Sequence, residues 1–353
     1  MKRSLILFSK IFYKHDPPRG VYHPENSLRL DIALNAIKRE NLYDRVEIVD
    51  TIDQRYYLYR DRVHEKHYVE YIKKLCIAKN EGFIDSDTYI NQHSFDVATH
   101  ALGCSVYAVE LSLNIKEFLV FALVRPPGHH AGLNGKAMGA STQGFCIFNN
   151  VAAGALYALD KGLKPVTILD IDVHHGNGTQ EIFWTNPDVI HIDIHEEGIY
   201  PGTGYIEDLG GGDAYGTKIN IPLKPFSGDP EYIYVFEELV IPLLYVIKPR
   251  CVIVSAGFDT HEKEEISDMN VTSRFYKYLG SILRILSLRL GLGVVAVLEG
   301  GYSAGLDEGL PAFIKGFEEP DVDGVKLSTK PSKYVIDVVK KIHSLVKRLH
   351  YSI

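Results

Sequence analysis

Asp170, Asp172 and His174 sit two residues apart in the stretch VTILDIDVHHGNGTQEIF, residues 166–183. If the chain stays extended there, a period of two sends all three side chains to one side. Two acids and an imidazole crowded at the carboxyl end of a strand are costly to desolvate, and a divalent cation is the simplest remedy. Gly176, Asn177 and Gly178 then supply a turn before a helix expected from Thr179. A second candidate is His129-His130 in RPPGHHA, residues 125–131. Imidazoles titrate in the range that general acid and base work requires. Taken alone, tandem histidines in a Pro-Gly loop would be an ordinary surface feature.

Such residues need elements to carry them. Short apolar, β-branched runs predict strands over 5–8, 118–124, 166–171, 189–194, 251–255 and 294–298. Helical periodicity falls at 27–39, 66–78, 94–113, 149–159, 230–246, 273–290 and 332–349. The alternation predicts an α/β fold, an open, mostly parallel sheet with helices on both faces. No repeat, low-complexity tract or linker divides residues 1–353, so one catalytic domain is expected. The unusual residues nearly all follow strands, at 125–131, 170–178, 195–204, 255–262 and 299–303. Open α/β sheets build their sites at that edge. The irregular stretches 14–26 and 132–142 are long enough to suggest functional loops.

Composition narrows the classes. The net charge of −7 over 353 residues, with no basic stripe, argues against a nucleic-acid surface. Cys76, Cys104, Cys146 and Cys251 are scattered without a CxxC pair, so reduced thiols and a cytoplasmic setting are expected. The apolar run at 5–8 is too short for a signal peptide core, and no segment approaches membrane-spanning length. Oligomeric state is not legible.

The series RPPGHHA, GFCIFNNVA, DIDVHHGNGTQ, YPGTG, SAGFDTH and LEGGYS, in this order over 125–303, resembles that of the zinc-dependent histone deacetylase superfamily. Weaker echoes occur at His23-Pro24-Glu25 and Val63-His64. The Asn-Gly after the second His, and LEGGY, are similar to class II deacetylases, acetylpolyamine amidohydrolases and acetoin-utilisation-type proteins. The resemblance implies an arginase-like fold, and a deacetylase that removes acetyl or another short acyl group from an acylated lysine or polyamine.

Carried over by motif, Asp172, His174 and Asp259 are the implied zinc ligands, although two carboxylates and one imidazole would also accept Fe(II). The resemblance pairs His129 with Asp170 and holds it protonated. It makes His130, partnered by Asn177, the principal base and then acid. Asn cannot raise the basicity of an imidazole as a carboxylate would, which leaves the division between the two histidines open. Tyr302 would hold the oxyanion. Gly144, Phe145, Tyr200, Gly300 and Gly301 would form a narrow channel, although each aromatic alone is more often core. Asp170 and Asp193 would hold a monovalent cation, usually potassium, with altered charge because Asp193 replaces a common Ser. His175 and His195 are read as supporting or core histidines. Glu262, Glu264 and Glu265 either attract a cationic substrate or form a solvated acidic loop. A two-metal ureohydrolase fits less well, because Gly176 and Thr260-His261 stand where further acids are needed. A catalytically silent metal- or acyl-binding regulatory module is the alternative from another class, and it has no use for Tyr302 and both loop histidines.

Overall fold

Aliphatic and β-branched runs form the strands of an eight-stranded sheet in the computed structural model, which describes residues 3–115, 117–322 and 330–347. The strands are β1 (Ser4–Phe8), β2 (Val46–Ile48), β3 (Glu81–Phe83), β4 (Tyr89–Asn91), β5 (Leu119–Leu123), β6 (Val166–Asp170), β7 (Val189–Glu196), β8 (Lys218–Leu223), β9 (Cys251–Ala256) and β10 (Val294–Leu298). The main sheet runs β2-β1-β5-β10-β9-β6-β7-β8, while β3 and β4 pair separately. Every ladder of the main sheet is parallel. The central strands β5, β6, β9 and β10 are buried at every position, as a parallel sheet covered on both faces requires. This is the α/β architecture expected, with one continuous hydrophobic core.

All six predicted strands form, and β2, β8 and the β3-β4 hairpin are additional. β8 escaped prediction because Lys218 and Pro222 interrupt its apolar run. It lies at the sheet edge, where a proline lacking N–H is tolerated. Lys218 is nevertheless buried and donates from Nζ to the carbonyl of Val189 at 2.8 Å. Helix Leu310–Glu318 was also not expected. The predicted helix 230–246 is helical throughout but contains a wide π turn at Phe236–Val240, just before Pro242. A second π turn, Gly305–Gly309, precedes Pro311. Proline breaks the ordinary hydrogen-bond ladder, and the wider turn accommodates it. The C-terminal helix is described over Lys333–Lys347, so predicted positions 348 and 349 lie outside the described residues. No helix among the described residues is long and apolar enough to cross a membrane.

Two local expectations change. β6 ends at Asp170 and the chain bends through 172–174, so Asp170, Asp172 and His174 do not share one extended face. The following helix begins at Asn177, ahead of Thr179, and Gly178 lies inside its first turn. Glycine is needed there for close approach: a Cβ would lie 2.5 Å from the carbonyl carbons of His130 and Ala131.

Candidate active site

The loops after β5, β6, β7, β9 and β10 converge at the carboxyl edge of the sheet. The bend after β6 turns Asp172 and His174 toward Asp259, which follows β9. Candidate ligand atoms of these three residues all lie within 4.8 Å of one another. His174 Nδ1 is 3.2 Å from Asp172 Oδ1 and 3.6 Å from Asp259 Oδ2. Backbone donors orient both carboxylates: Gly300 N–H donates to Asp172 Oδ2 at 2.7 Å, and Val173 N–H donates to Asp259 Oδ1 at 3.0 Å. Asp259 Oδ2 is buried with no hydrogen-bond partner among the described residues. A buried carboxylate oxygen left unpaired is costly, and a cation would satisfy it. A Cβ at Gly300 would lie 1.9 Å from that same oxygen, so only glycine leaves room there.

The two carboxylates and their burial dominate the local electrostatics. Burial, with the charge of Asp172, raises Asp259 to about 6. Burial opposes charge on His174, but Asp172 and Asp259 outweigh it and raise the imidazole to about 9. Asp172 is held far below its ordinary range, because His129 and His174 outweigh its burial. Two carboxylates and an imidazole form a donor set for one divalent ion with positions left over.

Asp170 takes a different position. Its Oδ1 accepts the N–H of Asp172 at 3.1 Å, and its Oδ2 lies 3.1 Å from His129 Nδ1. Burial opposes protonation of His129, yet Asp172 and Asp170 hold it well above its ordinary range. His130 behaves oppositely: burial, with the charges of His129 and His174, holds it well below. Its Nδ1 lies 2.7 Å from Asn177 Oδ1. The two adjacent rings are therefore pushed in opposite directions.

A cavity of about 330 Å³ opens beside these groups, lined by His129, His130, Asp172, His174, Gly144, Phe145, Tyr200, Gly300 and Tyr302, with Asp87, Pro127, Ile199 and Ile266 completing it. Gly301 is not part of the lining. Its positive φ of 108° turns the chain into Tyr302, and its carbonyl accepts from Arg29 Nε at 2.7 Å. A Cβ on Gly144 would lie 2.5 Å from His130 Cδ2, so glycine permits that close approach. Tyr200 donates from its hydroxyl to the carbonyl of Thr142 at 2.9 Å, and its ring meets His130 edge-on at 4.9 Å. Phe145, in the left-handed region at φ 69°, stands 6.0 Å from the Tyr302 ring at 88°. A larger cavity of about 480 Å³ lies between the 197–207 loop and the C-terminal helix, and it contains none of Asp172, His174 and Asp259.

Sequence reasoning missed three residues that shape this site and gave a fourth the wrong role. Asp87 brings a carboxylate to the cavity, and burial raises its pKa. Arg29, fully buried, lies over the Tyr302 ring at 4.7 Å, donates to the Glu299 carbonyl and pairs with Glu25 at 3.1 Å. Glu299 accepts the N–H groups of Gly128 and His129 at 2.6 and 3.1 Å. Glu264 differs from both expectations for the acidic loop: it is buried and accepts the N–H groups of Tyr302, Ser303 and Gly305 at 3.1, 2.8 and 2.8 Å. A run of acids reads as solvated by pattern, and nothing in the sequence singles out Glu264. His175 and His195 take supporting positions. His175 is bonded to Thr203 and Gln180, and His195 to Asp193 and Gly204.

Residues 23–316 match the family model described as histone deacetylase domain. The chain is 34% identical to a probable deacetylase of Archaeoglobus fulgidus, covering 98% of this chain and 94% of that protein. It is 32% identical to the chloroplastic histone deacetylase 10 of Oryza sativa, covering 97% and 83%. The crystal structure of the HDA15 HD domain superposes with a TM-score of 0.87 at 30% identity, covering 99% of this chain and 97% of that one.

Proposed function

The chain belongs to the histone deacetylase family, and from that premise we propose that it is a metal-dependent amidohydrolase. The bond cleaved would be the amide joining a short acyl group, acetyl foremost, to a lysine or polyamine nitrogen. The observation that carries this reading is the convergence of Asp172, His174 and Asp259, with one carboxylate oxygen unpartnered, beside a cavity that also holds His129, His130 and Tyr302. The donor set suits zinc or Fe(II). A divalent ion held there would polarise an amide carbonyl and make water acidic enough to attack near neutral pH.

The protein's own groups then divide the proton work. The Asn177 carboxamide donates from Nδ2 to the Ala137 carbonyl at 3.0 Å, which turns its Oδ1 toward His130. His130 therefore carries its proton on Nδ1, leaving Nε2 to take the proton of the attacking water and return it to the departing amine. His129, paired with Asp170, stays cationic and stabilises the negative charge that develops on the substrate. The Tyr302 hydroxyl donates to the oxyanion. Phe145 and Tyr200 flank the substrate's alkyl chain and exclude water. Asp87 offers a carboxylate to a cationic or N–H-bearing part of the substrate. Four buried, unpaired cysteines support a reducing compartment such as the cytoplasm.

The test combines metal analysis of the purified protein with turnover assays on acetyl-lysine peptides, acetylated polyamines and longer acyl-amines. Metal-dependent release of the free amine is expected. A full complement of metal with no turnover on any substrate would replace this reading with a binding module. The two other clusters of metal-type side chains among the described residues share no residue with the Asp172 group, which is not how a bridged two-metal ureohydrolase is built.

A further inference from the structure

Behind the active-site cavity, β6 and β7 bring a second set of metal-type donors together. The parallel register places Asp170 beside Asp193. His191 precedes Asp193 by two residues on β7, so strand alternation puts it on the same face. Its Nε2 lies 3.5 Å from Asp193 Oδ2 and 3.9 Å from Asp170 Oδ2. All three residues are 0% exposed. Neither nitrogen of His191 has a hydrogen-bond partner among the described residues. A polar ring is thus buried beside two carboxylates without a hydrogen bond among the described residues, an arrangement that needs an explanation in a folded core.

The cradle is shaped as well as charged. A Cβ at Gly176 would lie 2.5 Å from Asp170 Oδ2 and 3.2 Å from Asp193 Oδ2, so the glycine keeps space beside both carboxylates. The remaining contacts orient the acids without using all their lone pairs. Gly176 N–H donates to Asp193 Oδ2 at 2.8 Å, His195 Nδ1 lies 2.7 Å from Asp193 Oδ1, and His129 Nδ1 lies 3.1 Å from Asp170 Oδ2.

A potassium ion, implied here by the family resemblance, would take the two carboxylates but leave the His191 nitrogen unused. Hard cations take oxygen ligands, whereas imidazole nitrogen suits zinc, iron, copper and nickel. Donors each about 2.1 Å from one ion can stand up to about 4.2 Å apart, and both measured separations from His191 Nε2 fall inside that span. We propose that Asp170, Asp193 and His191 form a second, buried site for a divalent transition-metal ion, separate from the Asp172, His174 and Asp259 group. The ion would share Asp170 with His129 and so brace the imidazole that faces the cavity.

The experiment strips the purified full-length protein with a chelator, titrates it with Co(II), and measures bound metal per chain after desalting. Wild type is expected to hold two equivalents. His191→Leu and Asp259→Asn are each expected to hold one, and anomalous diffraction at the cobalt edge should show that they retain different ions. A single equivalent in wild type would overturn the proposal. So would density between Asp170, Asp193 and His191 that only potassium or water explains. Because the His191 nitrogens make no hydrogen bond among the described residues, metal-free His191→Leu should melt at or above the wild-type temperature. Should that variant fail to fold, the wild-type anomalous map alone decides.

Discussion

Asn177 Oδ1 stands 2.7 Å from Nδ1 of His130, and an amide rather than an acid is therefore what the second loop histidine leans on. Burial, with the charges of His129 and His174, keeps His130 neutral well below the ordinary histidine range. Its base form consequently persists to acidic pH. Asn177→Asp would place a carboxylate at that distance and raise the imidazole pKa. Raising the pKa protonates the base at higher pH, so the acidic limb of the kcat/KM profile is expected to move upward. A pH profile of the variant that is unmoved, or moved downward, removes His130 as the base.

Tyr302 is held by Arg29 over one face and by Phe145 at the edge. Tyr302→Phe keeps the ring and deletes the hydroxyl alone. Turnover should fall by about two to three orders of magnitude, the scale of one lost oxyanion donor. Metal content should not change. Steady-state kinetics beside elemental analysis checks both, and an unaltered kcat would take the hydroxyl out of the mechanism.

Gly300 has no room for a methyl group, which would meet Asp259 Oδ2 at 1.9 Å and Asp172 Oδ2 at 2.6 Å. Gly300→Ala must displace a candidate ligand or the loop itself, and overpacking of this kind costs about 1–3 kcal/mol. The variant is expected to melt lower and to bind the active-site metal more weakly. Calorimetry and metal titration give the two readouts; wild-type affinity in a folded variant would contradict the assignment of these carboxylates.

Glu264 gathers three backbone N–H groups of the turn that carries Tyr302. Removing the carboxylate leaves buried donors unsatisfied at about 1–3 kcal/mol each. Glu264→Ala should lower kcat by about 10- to 100-fold through misplacement of the tyrosine, with a smaller effect on KM. Glu264→Gln, which keeps an acceptor oxygen, should recover part of the loss. Equal damage in both variants would show that geometry is not what Glu264 supplies.

Glu299 predicts a pH-dependent stability difference. Burial raises its carboxyl from 4.5 to about 8 against the opposing pull of His129 and the Gly128 N–H. A folded pKa above the unfolded one gives stability that is complete below the unfolded value and is lost as pH rises through the folded value. Glu299→Gln stays neutral and lacks this dependence. Between about pH 5 and 9 the variant should therefore gain in Tm relative to wild type. A parallel pair of Tm curves would exclude the shifted carboxyl.

The six strands read from the sequence were legible because β-branched runs bounded by Gly, Pro and acidic loops act over a few neighbouring residues. β8 was not, because Lys218 and Pro222 break its pattern and only its place at the sheet edge makes them tolerable. Asp172, His174 and Asp259 could be picked out by motif. The extended face proposed for Asp170, Asp172 and His174 could not survive the bend after β6. Glu264 is the opposite case, a surface-like acid by pattern that the fold buries beneath Tyr302.

By itself the sequence determined the α/β rhythm, the edge where the chemistry gathers and the types of side chain available there, since each depends on local period and residue chemistry. The motif resemblance already paired His129 with Asp170 and His130 with Asn177, and the tertiary structure alone supplied the geometry of those pairs. Parallel register sets Asp170 beside Asp193, and crossover packing brings Asp259 to Asp172. The hydrogen bond to the Ala137 carbonyl turns the Asn177 oxygen toward His130. Those partnerships arise from contacts between residues far apart in the chain, whose geometry exists only once the whole core has closed.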